Sequence, residues 1–472
     1  MPDTEYDVII IGAGAVGENV ADRVVQGGLS ALLIESHLVG GACSYWACMP
    51  SKALLRSGAA VRAAQRVEGA KEAVTGPTDV DATLARRDTF THDWDDESQV
   101  EWVAGAGIDL VRGQARITGV KQVTVDGTVY TARHAVAVCT GSLPRLPDIP
   151  GLADVNPWET SDATSAHEVP ASLAIIGGGV AGCELATAYA GFGTKVTVIA
   201  RSTLLEKDEP FAGELVADGL RSLGATVLTG VETTKVSRPE KSVILELDDG
   251  STVTADEVLV ATGRKPGTEE LGLENIGLEP GSWLDVDDTM LVEGFDWLYG
   301  VGDVNHRVLL THQGKYQARA AGDVIAARAL GKPVDDAPWG AHVATADHQA
   351  VPQVTFTDPE VASVGLTADA AKKAGYETRV VDYDLGSVAG ASLQADGYTG
   401  TARMVVDEKR KVLLGMTFVG QDVAELLQSA TVAVVGEVPI DRLWHAVPAY
   451  PTISEIWLRL LEGYGRPTPD AA

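Results

Sequence analysis

The chain is poor in cysteine, in aromatic residues and in positive charge. Its 472 residues hold four cysteines, too few for a disulfide framework. Lysine and arginine number 37 against 66 acidic residues, a formal net charge of -29. That deficit argues against nucleic acid or an anionic membrane as a partner, because phosphate binding needs clustered Lys and Arg. The acidic excess reads as a strongly solvated surface. No apolar run approaches the roughly 20 residues of a membrane-spanning helix. The first residues, Met1 to Tyr6, carry no basic segment and no cleavage site, so no secretory leader is expected. The cytoplasm is the expected compartment, and there a disulfide is more often catalytic than structural. A zinc site needs about four ligands. Only Cys43 and Cys48 lie close in sequence, while Cys139 and Cys183 fall singly in apolar segments, so no metal site is expected.

What is present is an ordinary α/β composition: 45% apolar, 22% charged, and 51 glycines for tight turns. The length allows about three domains. One supersecondary unit occurs twice. The apolar run 6–11 precedes Gly12-x-Gly14-x-x-Gly17 and a helical stretch, and the run 173–176 precedes Gly177-x-Gly179-x-x-Gly182 and a second helical stretch through Tyr189. In such a unit the first glycine permits the tight turn and the second lets backbone approach a pyrophosphate. The third allows close helix–strand packing, and the helix N-terminus supplies partial positive charge. Two Rossmann-like dinucleotide-binding domains are therefore expected.

The two units part where their second strands end. The first ends at Glu35, whose carboxylate accepts from both ribose hydroxyls of an adenosine. The second ends at Ala200, followed by Arg201 and Ser202. A carboxylate repels a 2′-phosphate, whereas an arginine and a hydroxyl bind it. The first site is read as FAD and the second as NADPH, with NADH possible; the alternative for Arg201 is a solvated surface residue. Just past the first unit comes Gly40-Gly41-Ala42-Cys43-Ser44-Tyr45-Trp46-Ala47-Cys48-Met49-Pro50-Ser51-Lys52. Cys43 and Cys48 can close a small disulfide if the segment between them is one turn of helix. Next to a flavin, such a pair exchanges electrons with it; two structural cysteines are the plainer alternative.

These motifs give the chain a resemblance to the flavoprotein disulfide reductases, the class I pyridine nucleotide-disulfide oxidoreductases that include dihydrolipoamide dehydrogenase and mercuric reductase. Further motifs in the same order are Cys139-Thr140-Gly141-Ser142, Glu184, Ala261-Thr262-Gly263-Arg264, Gly302-Asp303, the run 356–365 and Pro451-Thr452-Ile453-Ser454-Glu455. The resemblance implies an FAD domain (1–151), an inserted NAD(P)H domain (152–265), a central domain completing the FAD site (266–350) and a C-terminal α+β dimerisation domain (351–472). It implies a homodimer with active sites at the subunit interface and a small-molecule electron acceptor. By the same likeness Ala42, Ala115, Thr140, Gly141, Asp303, Leu310 and Thr311 join Gly12, Gly14, Gly17 and Glu35 in holding FAD, with His312 at the flavin edge. Gly263 and Arg264 join the second glycine loop, Arg201 and Ser202 as nucleotide-binding residues. Lys52 and Glu184 are implied to pair beside the flavin, where a fixed cation stabilises the charge of reduction. Cys43 becomes the interchange thiol and Cys48 the thiol that contacts the flavin.

The chain departs from the pattern at Tyr450. In thiol-using members a His precedes this Pro-Thr and, paired with the following Glu, serves as acid–base for the interchange thiol. Here Glu455 faces a phenol as its expected partner. Unperturbed Tyr titrates near ~10 and His near ~6.5, a gap worth roughly 4 kcal/mol against neutral-pH proton transfer. His445, five residues upstream, is either a substitute base or a helix-end residue. Mercuric reductase shares a Tyr near this place and an Ala-Arg-Ser run, but its terminal cysteine pair has no counterpart in the run 465–472. The expected acceptors are therefore a quinone, a metal ion or a small disulfide handled slowly. Tyr45 and Trp46 either stack on a flat acceptor or pack internally. The run 431–435 reads as a buried helix. The function expected is an FAD-dependent, NADPH-preferring oxidoreductase with a redox-active Cys43–Cys48 disulfide. Alternatives are dihydrolipoyl dehydrogenase and a non-catalytic FAD-binding redox sensor; retention of both cysteines argues against a nicotinamide transhydrogenase.

Overall fold

The computed structural model describes residues 4–466, so the terminal run 467–472 lies outside the described residues. The chain folds as two compact units that interleave along the sequence. One comprises Met1–Pro50, Arg87–Arg145 and Gly263–His348; the other comprises Ser51–Arg86, Leu146–Thr262 and Gln349–Ala472.

The first unit is built on a seven-stranded sheet. In spatial order its strands are Asp109–Arg112, Ala31–Glu35, Glu5–Ile11, Thr128–Val138, Gln122–Val125 and Ala115–Gly119, with Leu298–Gly300 also pairing with Thr128–Val138. Its central strands are parallel and covered on both faces, which is why they read as continuous apolar runs rather than alternating ones. Alternation survives in where the side chains go. Val8, Ile10 and Leu33 join a core with Val20, Ala21 and Val24 of the helix Ala15–Gln26. Ile9, Ile11, Leu32 and Ile34 join a second core with Ile117 and Val123 from the antiparallel meander.

The second unit repeats the first part of this plan. Thr226–Thr229, Lys195–Ala200, Ser172–Ile176 and Glu257–Val260 form a parallel sheet in that order. Leu173 and Ile175 pack on the face that holds the helix Val180–Gly191, and Ala174 and Ile176 pack on the other. A separate five-stranded antiparallel sheet follows, ordered Pro352–Thr355, Glu360–Gly365, Val412–Gly420, Thr401–Asp407 and Thr378–Asp384. The run 431–435 does lie in a helix, Leu427–Val435, but only one side of it is buried. Val432 and Val435 are exposed while Ala433 and Val434 are covered, as a one-faced helix requires. Among the described residues no helix is long and apolar enough to cross a membrane.

Candidate active site

The glycine loop of the first unit is dictated by the chain's own sterics at two of its three positions. A Cβ on Gly12 (φ +101°) would lie 2.5 Å from the Cys139 carbonyl oxygen, and one on Gly17 would lie 1.8 Å from the Gly12 oxygen. Gly14 differs: a Cβ there meets nothing nearer than the Cα of Gly41, at 3.9 Å. The protein leaves this glycine open, which fits close approach of a ligand phosphate. Glu35 is buried at the strand end, and its carboxylate accepts from the backbone N–H of Ala13 (2.6 Å) and of His37 (2.8 Å). The Thr140 hydroxyl is buried without a hydrogen-bond partner among the described residues. An open glycine, a carboxylate pinned at the strand end and an orphaned hydroxyl fit a bound dinucleotide. Ala42 is exposed in the short helix Gly41–Tyr45 and Ala115 is buried at the start of its strand. Gly141 has φ +68° in the turn leading to Ser142. Asp303 accepts from the Ser142 hydroxyl at 2.5 Å, and Arg264 reaches the same hydroxyl through Nε. Arg264 and Gly263 thus belong with the first unit, and Arg264 lies 3.8 Å from Asp303.

The two cysteines do not share one turn of helix. Cys43 sits in Gly41–Tyr45, the chain breaks at Trp46 (φ -134°), and Cys48 opens the helix Cys48–Gln65. Both are half-buried, and neither is in a disulfide. The Cys48 sulfur lies 3.3 Å from the Thr311 hydroxyl. Thr311 is the first residue of the 19-residue helix Thr311–Ala329, whose N-cap is Leu310. The positive end of that helix therefore stands at the sulfur. The neighbouring Cys48 sulfur and burial push the Cys43 thiol above the usual range; the Thr311 hydroxyl and the Lys315 charge pull the other way. Sequence reasoning missed Lys315, one turn past Thr311 on the same helix face. It also missed Glu18 of the neighbouring helix, whose carboxyl burial pushes up to about 7 against the pull of Lys315. The i, i+4 spacing of Thr311 and Lys315 was the available signal. Tyr45 is fully buried and its phenol donates to the Asp95 carbonyl at 3.4 Å, while its backbone carbonyl accepts from Trp94 Nε1, so it packs internally rather than facing an acceptor. Trp46 lies 5.6 Å from it, ring centre to ring centre. Cys139 and Cys183 are buried, and desolvation pushes both thiols up.

The second unit repeats the glycine pattern. A Cβ on Gly177 (φ +126°) would lie 2.4 Å from the Ala261 oxygen and one on Gly182 would lie 2.2 Å from the Gly177 oxygen, while Gly179 faces open space. Lys52 Nζ is 2.7 Å from Glu184 Oε2 and 5.0 Å from the centre of the Phe356 ring. The buried Glu184 also accepts from the Phe356 N–H at 3.0 Å. The carboxylate is thus fixed from two sides and holds the lysine in place. Arg201 is exposed, and the Ser202 hydroxyl donates to Glu206 at 2.9 Å.

The C-terminal residues are arranged differently from expectation. Tyr450 is 75% exposed, and His445 is exposed beyond the short helix Ile440–Leu443. Glu455 is buried and pairs not with Tyr450 but with Arg459, one helical turn along. Its second oxygen, Oε2, is buried without a partner among the described residues.

Comparison with known proteins matches this geometry. The family described as pyridine nucleotide-disulphide oxidoreductase matches residues 6–321, and its dimerisation domain matches residues 351–460. Mercuric reductase of Staphylococcus aureus is 32% identical over 459 residues, covering 96% of this chain and 81% of the relative. Dihydrolipoyl dehydrogenase of Thermus scotoductus is 33% identical over 464 residues, covering 95% of each. The copper(II) complex of the HOCl-induced flavoprotein disulfide reductase RclA from Escherichia coli shares the fold, with a TM-score of 0.83, 23% identity and coverage of 98% of this chain and 99% of that one. The glycine loops, the cysteine pair and these full-length matches place the chain in the pyridine nucleotide-disulphide oxidoreductase family, FAD-dependent enzymes that draw electrons from NAD(P)H.

Proposed function

We propose that the protein is an NADPH-preferring oxidoreductase that sends electrons through FAD to the Cys43–Cys48 pair and on to a small acceptor needing little proton transfer, a quinone being the leading class. The observation that carries this reading is the Cys48 sulfur beside Thr311, at the positive end of a long helix, in the same unit as the open glycine loop. FAD, when bound, would supply two-electron chemistry linking a nicotinamide hydride to the cysteine pair. Gly14, Glu35, Thr140 and Asp303 would hold it. Within the second unit, Glu184 holds the Lys52 ammonium as a fixed cation. The Thr311 hydroxyl and the helix end favour the thiolate of Cys48 over the thiol. Two electrons and one proton open the disulfide to the Cys48 thiolate and the Cys43 thiol, and Cys43 then serves as the interchange sulfur.

Thiol exchange also needs a base for Cys43, because its proton is held more tightly than usual. By its sequence position before Pro451 we read Tyr450 as the residue a partner subunit would offer in place of a base, and a phenol is poorly matched to that task at neutral pH. The coarser statement, a dimer formed through the C-terminal domain, rests on the match of that domain; contribution of Tyr450 and Glu455 to the partner's site is our reading, supported by the exposure of Tyr450 and the orphaned Glu455 Oε2. Action in the cytoplasm agrees with a reducing milieu for the pair.

A second reading, dihydrolipoyl dehydrogenase, is favoured by the near-complete mutual coverage with the Thermus enzyme of that name. Initial rates of NADPH oxidation with oxidised lipoamide and with a simple quinone separate the two. We expect fast quinone and slow lipoamide reduction; the reverse order establishes the second reading. Tyr450→His should raise lipoamide turnover at pH 7 by about tenfold or more. No gain would remove Tyr450 from the site.

A further inference from the structure

The geometry points to Glu206 as a specificity-determining residue of the second nucleotide site, one that opposes the 2′-phosphate and keeps the site open to NADH. This rests on the reading of that site as nicotinamide-binding with Arg201 as phosphate ligand. Arg201 and Ser202 alone would make a 2′-phosphate niche, yet the Ser202 hydroxyl is turned to acceptors of its own turn, Glu206 Oε2 at 2.9 Å and, farther off, the Thr203 carbonyl at 3.4 Å. Its hydroxyl then presents lone pairs, not a donor, to an incoming phosphate. The carboxylate missing at Ala200 is thereby supplied six residues later, in a position to accept from a ribose diol instead.

The placement is held by structure. The Leu205 N–H donates to the carbonyl of Gly178, inside the glycine loop, at 2.9 Å. Leu205 sits at φ +49°, and Leu204 and Leu205 are both buried. Leu204 lies directly over the loop: a Cβ on Gly178 would be 2.8 Å from its Cδ2. The Asp208 N–H closes the turn on the Leu205 oxygen at 2.8 Å. Glu206 therefore leaves an anchored turn beside the nucleotide-binding loop, and it is exposed to whatever binds there. Binding of a 2′-phosphate must break the Ser202–Glu206 bond and bring a dianion beside a carboxylate; binding of an unphosphorylated ribose need do neither.

The test uses the full-length, FAD-loaded protein titrated calorimetrically with 2′,5′-ADP and with 5′-AMP, alongside kcat/KM for NADPH and NADH. Glu206→Gln should tighten 2′,5′-ADP about tenfold, leave 5′-AMP unchanged or weaker, and move the kcat/KM ratio toward NADPH by a similar factor. Unchanged or weaker 2′,5′-ADP binding in Glu206→Gln overturns the inference. Arg201→Glu tests the underlying reading separately: it should weaken 2′,5′-ADP and spare 5′-AMP, and failure to do so overturns the assignment of the phosphate niche whatever Glu206 does.

Discussion

In the first unit the strand after the glycine loop ends on a buried carboxylate that is tied to the loop's own backbone, Glu35 on Ala13. In the second the equivalent strand ends on Ala200, and the next carboxylate along the chain, Glu206, is exposed and tied to a serine. The loops before these strand ends are the same in their steric logic. Gly12 and Gly17, like Gly177 and Gly182, are glycines because the chain would collide with itself. Gly14 and Gly179 are glycines although the chain leaves them room. The first and third positions of the motif therefore record folding, and the second leaves room for the ligand. The strand ends record which ligand.

A methyl group at the third glycine of either loop is the most damaging way to break this parallel. Gly17→Ala should yield protein without flavin and destabilised by roughly 3 kcal/mol or more, since backbone rather than a side chain must give way. Gly182→Ala should keep its flavin and lose NADPH binding. The ratio of flavin to protein absorbance, with nucleotide titrations, checks both; loss of the same ligand by both variants would end the assignment of one ligand to each loop. Next in size is Glu35→Gln, which keeps the shape and removes the charge. Hydrogen bonds to a charged acceptor contribute about 1.5–3 kcal/mol, so FAD affinity should fall roughly 10- to 100-fold while the KM for NADPH stays unchanged.

The smallest effect lies outside both loops and measures stability alone. Burial pushes the Glu360 carboxyl from an ordinary 4.5 up to about 7, although it accepts from the Ala424 N–H at 3.1 Å. The folded state thus holds this proton more tightly than the unfolded state, and stability falls as pH rises from about 4.5 through 7. Glu360→Gln keeps the acceptor oxygen and removes the charge. Its urea midpoint should match the parent near pH 5 and exceed it near pH 8, by up to about 3 kcal/mol in free energy. A gain of equal size at both pH values would mean the carboxyl is not the titrating group.

Both loops, the sheets around them and the two cysteines were legible in sequence because local sterics and apolar periodicity are written residue by residue. The ion pair of Lys52 with Glu184 was legible only through resemblance, since 132 residues separate the partners. What escaped depends on turns and helix phase. Thr311 was expected at the flavin, and its contact with the Cys48 sulfur follows from where its helix begins. Glu455 was paired with Tyr450 from motif spacing, yet a helix starting at Ile456 puts Arg459 one turn away. Glu206 could not be singled out without the left-handed turn at Leu205 that delivers it.

The burial of Cys139 and Cys183 gives the protein an internal standard. A thiol reagent added to the native, reduced enzyme should count Cys43 and Cys48 only, and the same reagent after denaturation should count four. The difference stays constant, so each preparation carries its own measure of protein concentration. The native count alone reads out how much of the Cys43–Cys48 pair is oxidised.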